Sequence, residues 1–89
     1  MSSAAPLAGV RVVDLTTVVA GPIASLILAQ QDADVIKVEP PGGDLVRRLG
    51  FMAKDGSSST FHVLNRGKKL VELDLAREAG REALAALIA

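Results

Sequence analysis

Cysteine, tryptophan and tyrosine are absent from this chain. Without cysteine there is no disulfide framework and no thiolate metal site, a usage that fits a reducing, cytoplasmic setting. Phe51 and Phe61 are the only aromatic residues, so the interior has to be built from Val, Leu, Ile and Ala. Charge of one sign is missing too. Ten basic residues balance ten acidic ones, and no overall field points toward nucleic acid or an anionic membrane. No apolar run approaches the roughly 20 residues needed to span a bilayer. Met1 to Pro6 lacks the basic start and apolar core of a secretion signal and reads as a short frayed lead-in. The six aspartates, Asp14, Asp32, Asp34, Asp44, Asp55 and Asp74, show neither paired-carboxylate nor metal-ligand spacing, so no metal is expected. There is no internal repeat.

What is present is organised around Val10 to Pro40, VRVVDLTTVVAGPIASLILAQQDADVIKVEP. Its first run, Val10 to Leu15, is rich in the β-branched residues that suit a strand buried on both faces. Gly21-Pro22 opens a helix, Pro being acceptable at the first helical position. In the apolar segment Ile23 to Gln31, residues Ile23, Leu26, Ile27 and Gln30 follow the i, i+3, i+4, i+7 spacing. Ala24 and Leu28 widen that stripe, and the helix is expected to be covered on both sides. Its end falls near Gln31-Asp32, where a left-handed residue is expected and Asp replaces the usual Gly at a modest steric cost. A second strand, Asp34 to Glu39, stops at Pro40-Pro41-Gly42-Gly43. Strand, helix and strand within about 30 residues is the size of one βαβ unit.

Residues Asp44 to Ser59 are the least patterned and read as a mobile loop. Thr60 to Leu64 suits one helical turn, Asn65-Arg66-Gly67 a turn, and Leu70 to Leu73 a third strand. A closing helix places Gly80, Leu84, Leu87 and Ile88 on one face, and its pattern still runs at Ala89 with no closing Gly, Asn or Pro. The 89 residues are therefore expected to be the front of a longer protein. The fold class is α/β, a Rossmann-like βαβ fragment with a parallel sheet, part of a larger domain. Ligands of such sheets gather at the carboxyl ends of the strands.

Each candidate motif has two readings. The turn TTVVAGP offers an anion the start of a helix, or merely starts a buried helix; its single glycine removes the main support for a dinucleotide fingerprint. Glu39 accepts hydrogen bonds from a ribose or is a solvated carboxylate. Pro40-Pro41-Gly42-Gly43-Asp44 lines a cleft or only connects. Asn65-Arg66-Gly67-Lys68-Lys69 and Arg47-Arg48 suit phosphates or form solvated surface. His62 is structural, with no identifiable partner.

Read in order, PLAGVRVVDLT, VVAGP, ADVIKVEPPGGD followed by Arg47, F…NRGKK with VELDL, and GREAL resemble the N-terminus of the family III coenzyme A transferases. That group includes formyl-CoA and carnitine-CoA transferases and the related α-methylacyl-CoA racemases. The resemblance runs from Pro6 to the end. It implies a large Rossmann-like domain, a small domain, and two subunits interlocked as a homodimer, with coenzyme A across the carboxyl ends of the large-domain strands. Residues 1–89 would be an incomplete N-terminal part of that large CoA-binding domain.

Matched residue by residue, the segment lining the CoA site after strand one corresponds to Val19 and Ala20. The segment approaching the adenosine part after strand three corresponds to Leu73, Asp74, Leu75 and Ala76. Pro40 stands where several members carry a phosphate-binding arginine, so that contact is expected from Arg47, Arg66 or Lys68. Transferase members use an aspartate to attack the acyl-CoA thioester, expelling CoA thiolate as a mixed anhydride forms; the acyl group then passes to a carboxylic acid. Racemase members move a proton beside the thioester carbonyl with an Asp and a His. In the family these residues lie beyond position 89, so the resemblance assigns no catalytic residue here, and the chain by itself should be inactive. Implied partners are an acyl-CoA and a carboxylic acid, with no nucleic acid and no membrane. Alternatives are a racemase of the same family or a non-catalytic truncated remnant.

The chain departs from the family pattern at Gln31, at Asp32 and at Arg77-Glu78. The last replaces the usual Thr/Ser-Pro helix opening and loses an N-cap oxygen, at a cost on the order of 1 kcal/mol.

Overall fold

Three short strands pair side by side in a computed structural model, which describes residues 5–89. The lead-in expected at the N-terminus lies largely outside the described residues. Strands β1 (Arg11–Asp14), β2 (Asp34–Glu39) and β3 (Lys69–Glu72) form one sheet in the order β1-β2-β3. Both pairings are parallel, Val12 opposite Val35 and Val38 opposite Val71. The middle strand carries the burial: Val35, Lys37, Val38 and Glu39 are all enclosed. Two apolar residues in that set were legible; two charged ones need partners, described below.

Helix α1 (Ala20–Gln30) connects β1 to β2. It begins one residue ahead of Gly21-Pro22, with Val19 as an N-cap that makes no side-chain bond. Pro22 is thus the third helical residue rather than the first. Its missing N–H costs nothing there, because the first four N–H groups of a helix have no partner within it. At the far end Asp32 takes φ +72°. Ala33 N–H donates to the Leu28 carbonyl and Asp32 N–H to that of Ala29, the paired closure that a left-handed residue permits.

The expectation that α1 is covered on both sides is not met. Among the described residues only Pro22 and Ser25 of this helix are buried, and Ile23 and Ile27 stand nearly half exposed. One sheet face and one short helix pack on it, and a helix needs a second layer to enclose its opposite flank.

Residues 44–59 are not a featureless loop. Asp44 accepts from Val46 N–H at 3.1 Å and starts a 3-10 turn at Leu45–Arg48. Ser58 accepts from Phe61 N–H at 3.2 Å and caps α2 (Ser59–Leu64); its hydroxyl also donates to the Leu49 carbonyl. These caps seat Val46 against Phe61 and Leu64 as an apolar cluster. Helix α3 (Glu78–Ile88) has no fully buried residue. Gly80, Leu84 and Leu87 are half-buried, whereas Ile88, expected on the same face, is exposed.

Candidate functional site

Parallel pairing brings the carboxyl ends of all three strands to one edge of the sheet. A crevice of about 380 Å³ opens there, in the size range of small-molecule sites. Leu15 and Thr17 line it after β1, Val38 to Pro41 at the end of β2, and Leu73 to Ala76 after β3. Of the seven residues expected at a coenzyme site, Pro40, Leu73, Asp74, Leu75 and Ala76 share this crevice. Val19 and Ala20 do not line it; they begin α1 and are exposed. Leu15 and Thr17 also line the crevice and were not among those seven, although Thr17 falls in Thr16–Gly21, the expected ligand-gathering end of the first strand. Gly80 of α3 lies so close to the post-β3 segment that a Cβ there would overlap the Asp74 backbone carbonyl. A hollow of about 410 Å³ between β1 and the end of α3, lined by Arg11, Val13 and Ile88 among others, lies away from the strand tips.

Beneath the crevice the loops are held by buried ion pairs. Lys37 Nζ donates to Asp44 Oδ2 at 2.6 Å, and both side chains are 0% exposed. Asp44 also accepts from Val18 N–H at 3.2 Å. Arg47 grips Glu39 with two nitrogens, at 2.8 and 2.9 Å, and Glu39 also accepts from Asp44 N–H at 3.2 Å. The Arg47 guanidinium lies 3.8 Å from the Phe61 ring centre, a cation–π contact. Gly43, at φ +88°, is required beneath it, since a Cβ there would crowd Arg47 Cδ and Glu39 Oε2.

A second cluster ties β1 to the segment before β3. Lys68 Nζ reaches Asp14 at 3.2 Å, the Pro22 carbonyl at 3.1 Å and Asn65 Oδ1 at 2.9 Å. Asp14 accepts further from Thr16 N–H at 2.8 Å and from the Ser25 and Thr16 hydroxyls.

These contacts overturn several expectations. Glu39 is not a solvated carboxylate: it is buried, with Arg47 and Asp44 N–H on its oxygens, although it lines the crevice. Lys68 is no phosphate contact, because its ammonium is enclosed and satisfied by protein oxygens. The basic cluster is not all solvated surface, since Asn65 is buried as well. Arg47, 40% exposed on its side chain, and exposed Arg66 remain as cations facing solvent. His62 is exposed and meets the edge of Phe61. The pairs escaped notice because their partners lie 7 and 54 residues apart. One local signal existed, a lysine inside the doubly buried run Val35-Ile36-Lys37-Val38, which demands a carboxylate.

Burial pushes the Asp44 carboxyl up, but Lys37 and the Val46 and Val18 N–H groups outweigh it and hold it below the usual aspartate value. For Asp14 burial also acts upward and is outweighed by Ser25, Thr16 and Lys68, so it too sits low. At Lys68 burial wins over the attraction of Asp14 and lowers the ammonium below its ordinary value. The two ends of that pair thus differ, and the carboxylate retains its charge more strongly because four donors converge on it. A carboxyl lowered by folding contributes stability that is complete above its unfolded value, near 3.8, and lost as pH falls through the folded one. Stability from these two groups is therefore expected to be level above about pH 5 and to drop below about pH 4. Urea midpoints measured from pH 3 to 7 check this; a midpoint unchanged down to pH 3 would contradict it.

In parallel α/β sheets, ligands bind in the crevice beyond the carboxyl ends of the strands, where this one opens. The chain belongs to CoA-transferase family III, whose sequence model matches residues 7–89. It is 46% identical over 82 residues to a succinyl-CoA:mesaconate CoA-transferase of Haloarcula hispanica, covering 88% of this chain and 21% of that one. A formyl-CoA:oxalate CoA-transferase of Streptomyces coelicolor is 41% identical over 86 residues, covering 97% and 21%. Among solved structures, a CAIB/BAIF family protein from Brucella suis superimposes with TM-score 0.84 at 41% identity, covering 93% of this chain and 23% of that one. The chain spans about a fifth of the length of these curated relatives.

Proposed function

We propose that this chain supplies one wall of a coenzyme A site in a transferase that moves CoA between an acyl-CoA and a carboxylic acid. The observation that carries it is the strand-tip crevice, in which the end of β2 and the segment after β3 face one another. Pro40 and Leu73 to Ala76 offer mainly apolar surface to the adenosine part, with the half-buried Asp74 as a polar group. Val19 and Ala20 approach the coenzyme from the start of α1. Pro40 carries no charge, and Lys68 is occupied, so of the three cations expected at the phosphates Arg47 and Arg66 remain.

None of the six aspartates is assigned as the nucleophile, and Asp14 and Asp44 are committed to buried pairs. The acyl transfer itself is assigned to residues outside this chain. The complete enzyme would work as a cytoplasmic homodimer without a metal, its partners an acyl-CoA and a carboxylic acid.

Thermal unfolding of the protein, purified at the length its gene encodes, tests the coenzyme reading. CoA at one hundred times its dissociation constant should stabilise it by about 2.7 kcal/mol, and NAD at the same concentration should leave the midpoint in place. Stabilisation by NAD and none by CoA would overturn the reading.

A further inference from the structure

Val18 departs from what its side chain allows. Its φ is +67°, in the left-handed region where a β-branched residue is a steric outlier. Such conformations persist only where the surroundings over-determine them, and they gather at ligand sites. Here the constraint comes from 26 residues away: Val18 N–H is shared between the two Asp44 oxygens, at 3.2 and 3.3 Å. Asp44 is fixed in turn by Lys37, by Val46 N–H and by its own N–H bond to Glu39. The loop after β2 thus reaches across the strand tips and grips the loop after β1. The next two residues, Val19 and Ala20, begin α1, which no side chain caps.

We propose that Asp44 is a positioning residue whose carboxylate holds Val18 in the left-handed conformation and so sets where Val19 and Ala20 stand beside the crevice. Its bearing on ligand rests on the coenzyme reading above. A carboxylate is needed because it serves two kinds of donor at once. Asparagine at 44 keeps one acceptor, which the Lys37 ammonium claims as the stronger donor. The amide NH₂ then takes the place of the oxygen that accepts from both Val18 and Val46, leaving Val18 only its 3.3 Å contact to the other oxygen, and the grip is loosened. Glycine at 18 adopts the same φ without any grip.

CoA affinity by calorimetry and amide hydrogen exchange at residue 18 test this in the full-length protein. Asp44→Asn should weaken CoA about tenfold, as expected for a site whose support is loosened, and speed exchange at Val18. Adding Val18→Gly should bring affinity back to within about threefold of wild type. A role confined to pairing with Lys37 leaves the double variant as weak as the single one, and that result overturns the proposal.

Should Asp44→Asn fail to fold, two variants without the buried charges carry the test. Lys37→Met with Asp44→Asn frees the asparagine oxygen for Val18 and should bind CoA to within about threefold of wild type, whereas Lys37→Met with Asp44→Ala should bind it about tenfold more weakly. Equal binding by these two overturns the proposal. Absence of CoA binding by wild type would defeat the coenzyme reading, and unchanged exchange at Val18 in Asp44→Asn would separately defeat the grip.

Discussion

Lys37→Met is expected to cost about 3–5 kcal/mol, a large part of the stability of an ordinary domain. The methionine keeps much of the volume of the lysine stem, so packing around β2 changes little. What changes is Asp44, left as a fully buried carboxylate without its cation. Its bonds from Val46 and Val18 N–H remain, which places the loss toward the lower end of that range. Pairing Lys37→Met with Asp44→Asn removes both charges and should recover most of the loss, because replacing a whole buried pair is near neutral where breaking half of it is not. Urea unfolding at unchanged slope distinguishes these outcomes. A single variant within 1 kcal/mol of wild type would show that water reaches the pair.

Gly80→Ala is expected to destabilise, against the usual sign for a helix position. Alanine in a helix interior ordinarily gains about 1 kcal/mol over glycine. At residue 80, however, the new methyl would overlap the carbonyl of Asp74, a backbone atom that no rotamer change can move aside. Overpacking of this kind costs about 1–3 kcal/mol, so a net loss of up to about 2 kcal/mol is expected. The same displacement would push Asp74 to Ala76 into the crevice they line, and CoA affinity should fall with stability. The melting midpoint and the CoA dissociation constant are the two readouts. A midpoint raised by the substitution would mean that α3 is free to lift away from the post-β3 segment.

The strands were largely legible. Asp34–Glu39 was read with its observed ends, and the other two were placed within one residue at each end. Short β-branched runs between Gly and Pro breakers carry that signal in their own backbone preferences. The segment around Val46 was read as a mobile loop because its order comes from Asp44 and Ser58 as caps and from Phe61 across the cluster. In the candidate site, Pro40 and Leu73 to Ala76 fell together at the strand tips because parallel pairing aligns carboxyl ends. Arg47 and Lys68 were both named as candidate phosphate contacts, yet only the fold separates them: one side chain is part-exposed over Phe61, the other is sealed against Asp14 and Asn65.

Strand sequence and parallel order follow from residues that act on their near neighbours: β-branched runs, a helical stripe, and glycine or aspartate where the chain must turn left-handed. Folding alone decided which charges would be interior. Lys68 looks like any other lysine along the chain and Lys37 differs only in lying within an apolar run; each became a buried tie only when a carboxylate from another element was carried within hydrogen-bond reach. The physical reason is range: backbone preference is set over a few residues, whereas the desolvation of a charge depends on every element that closes around it.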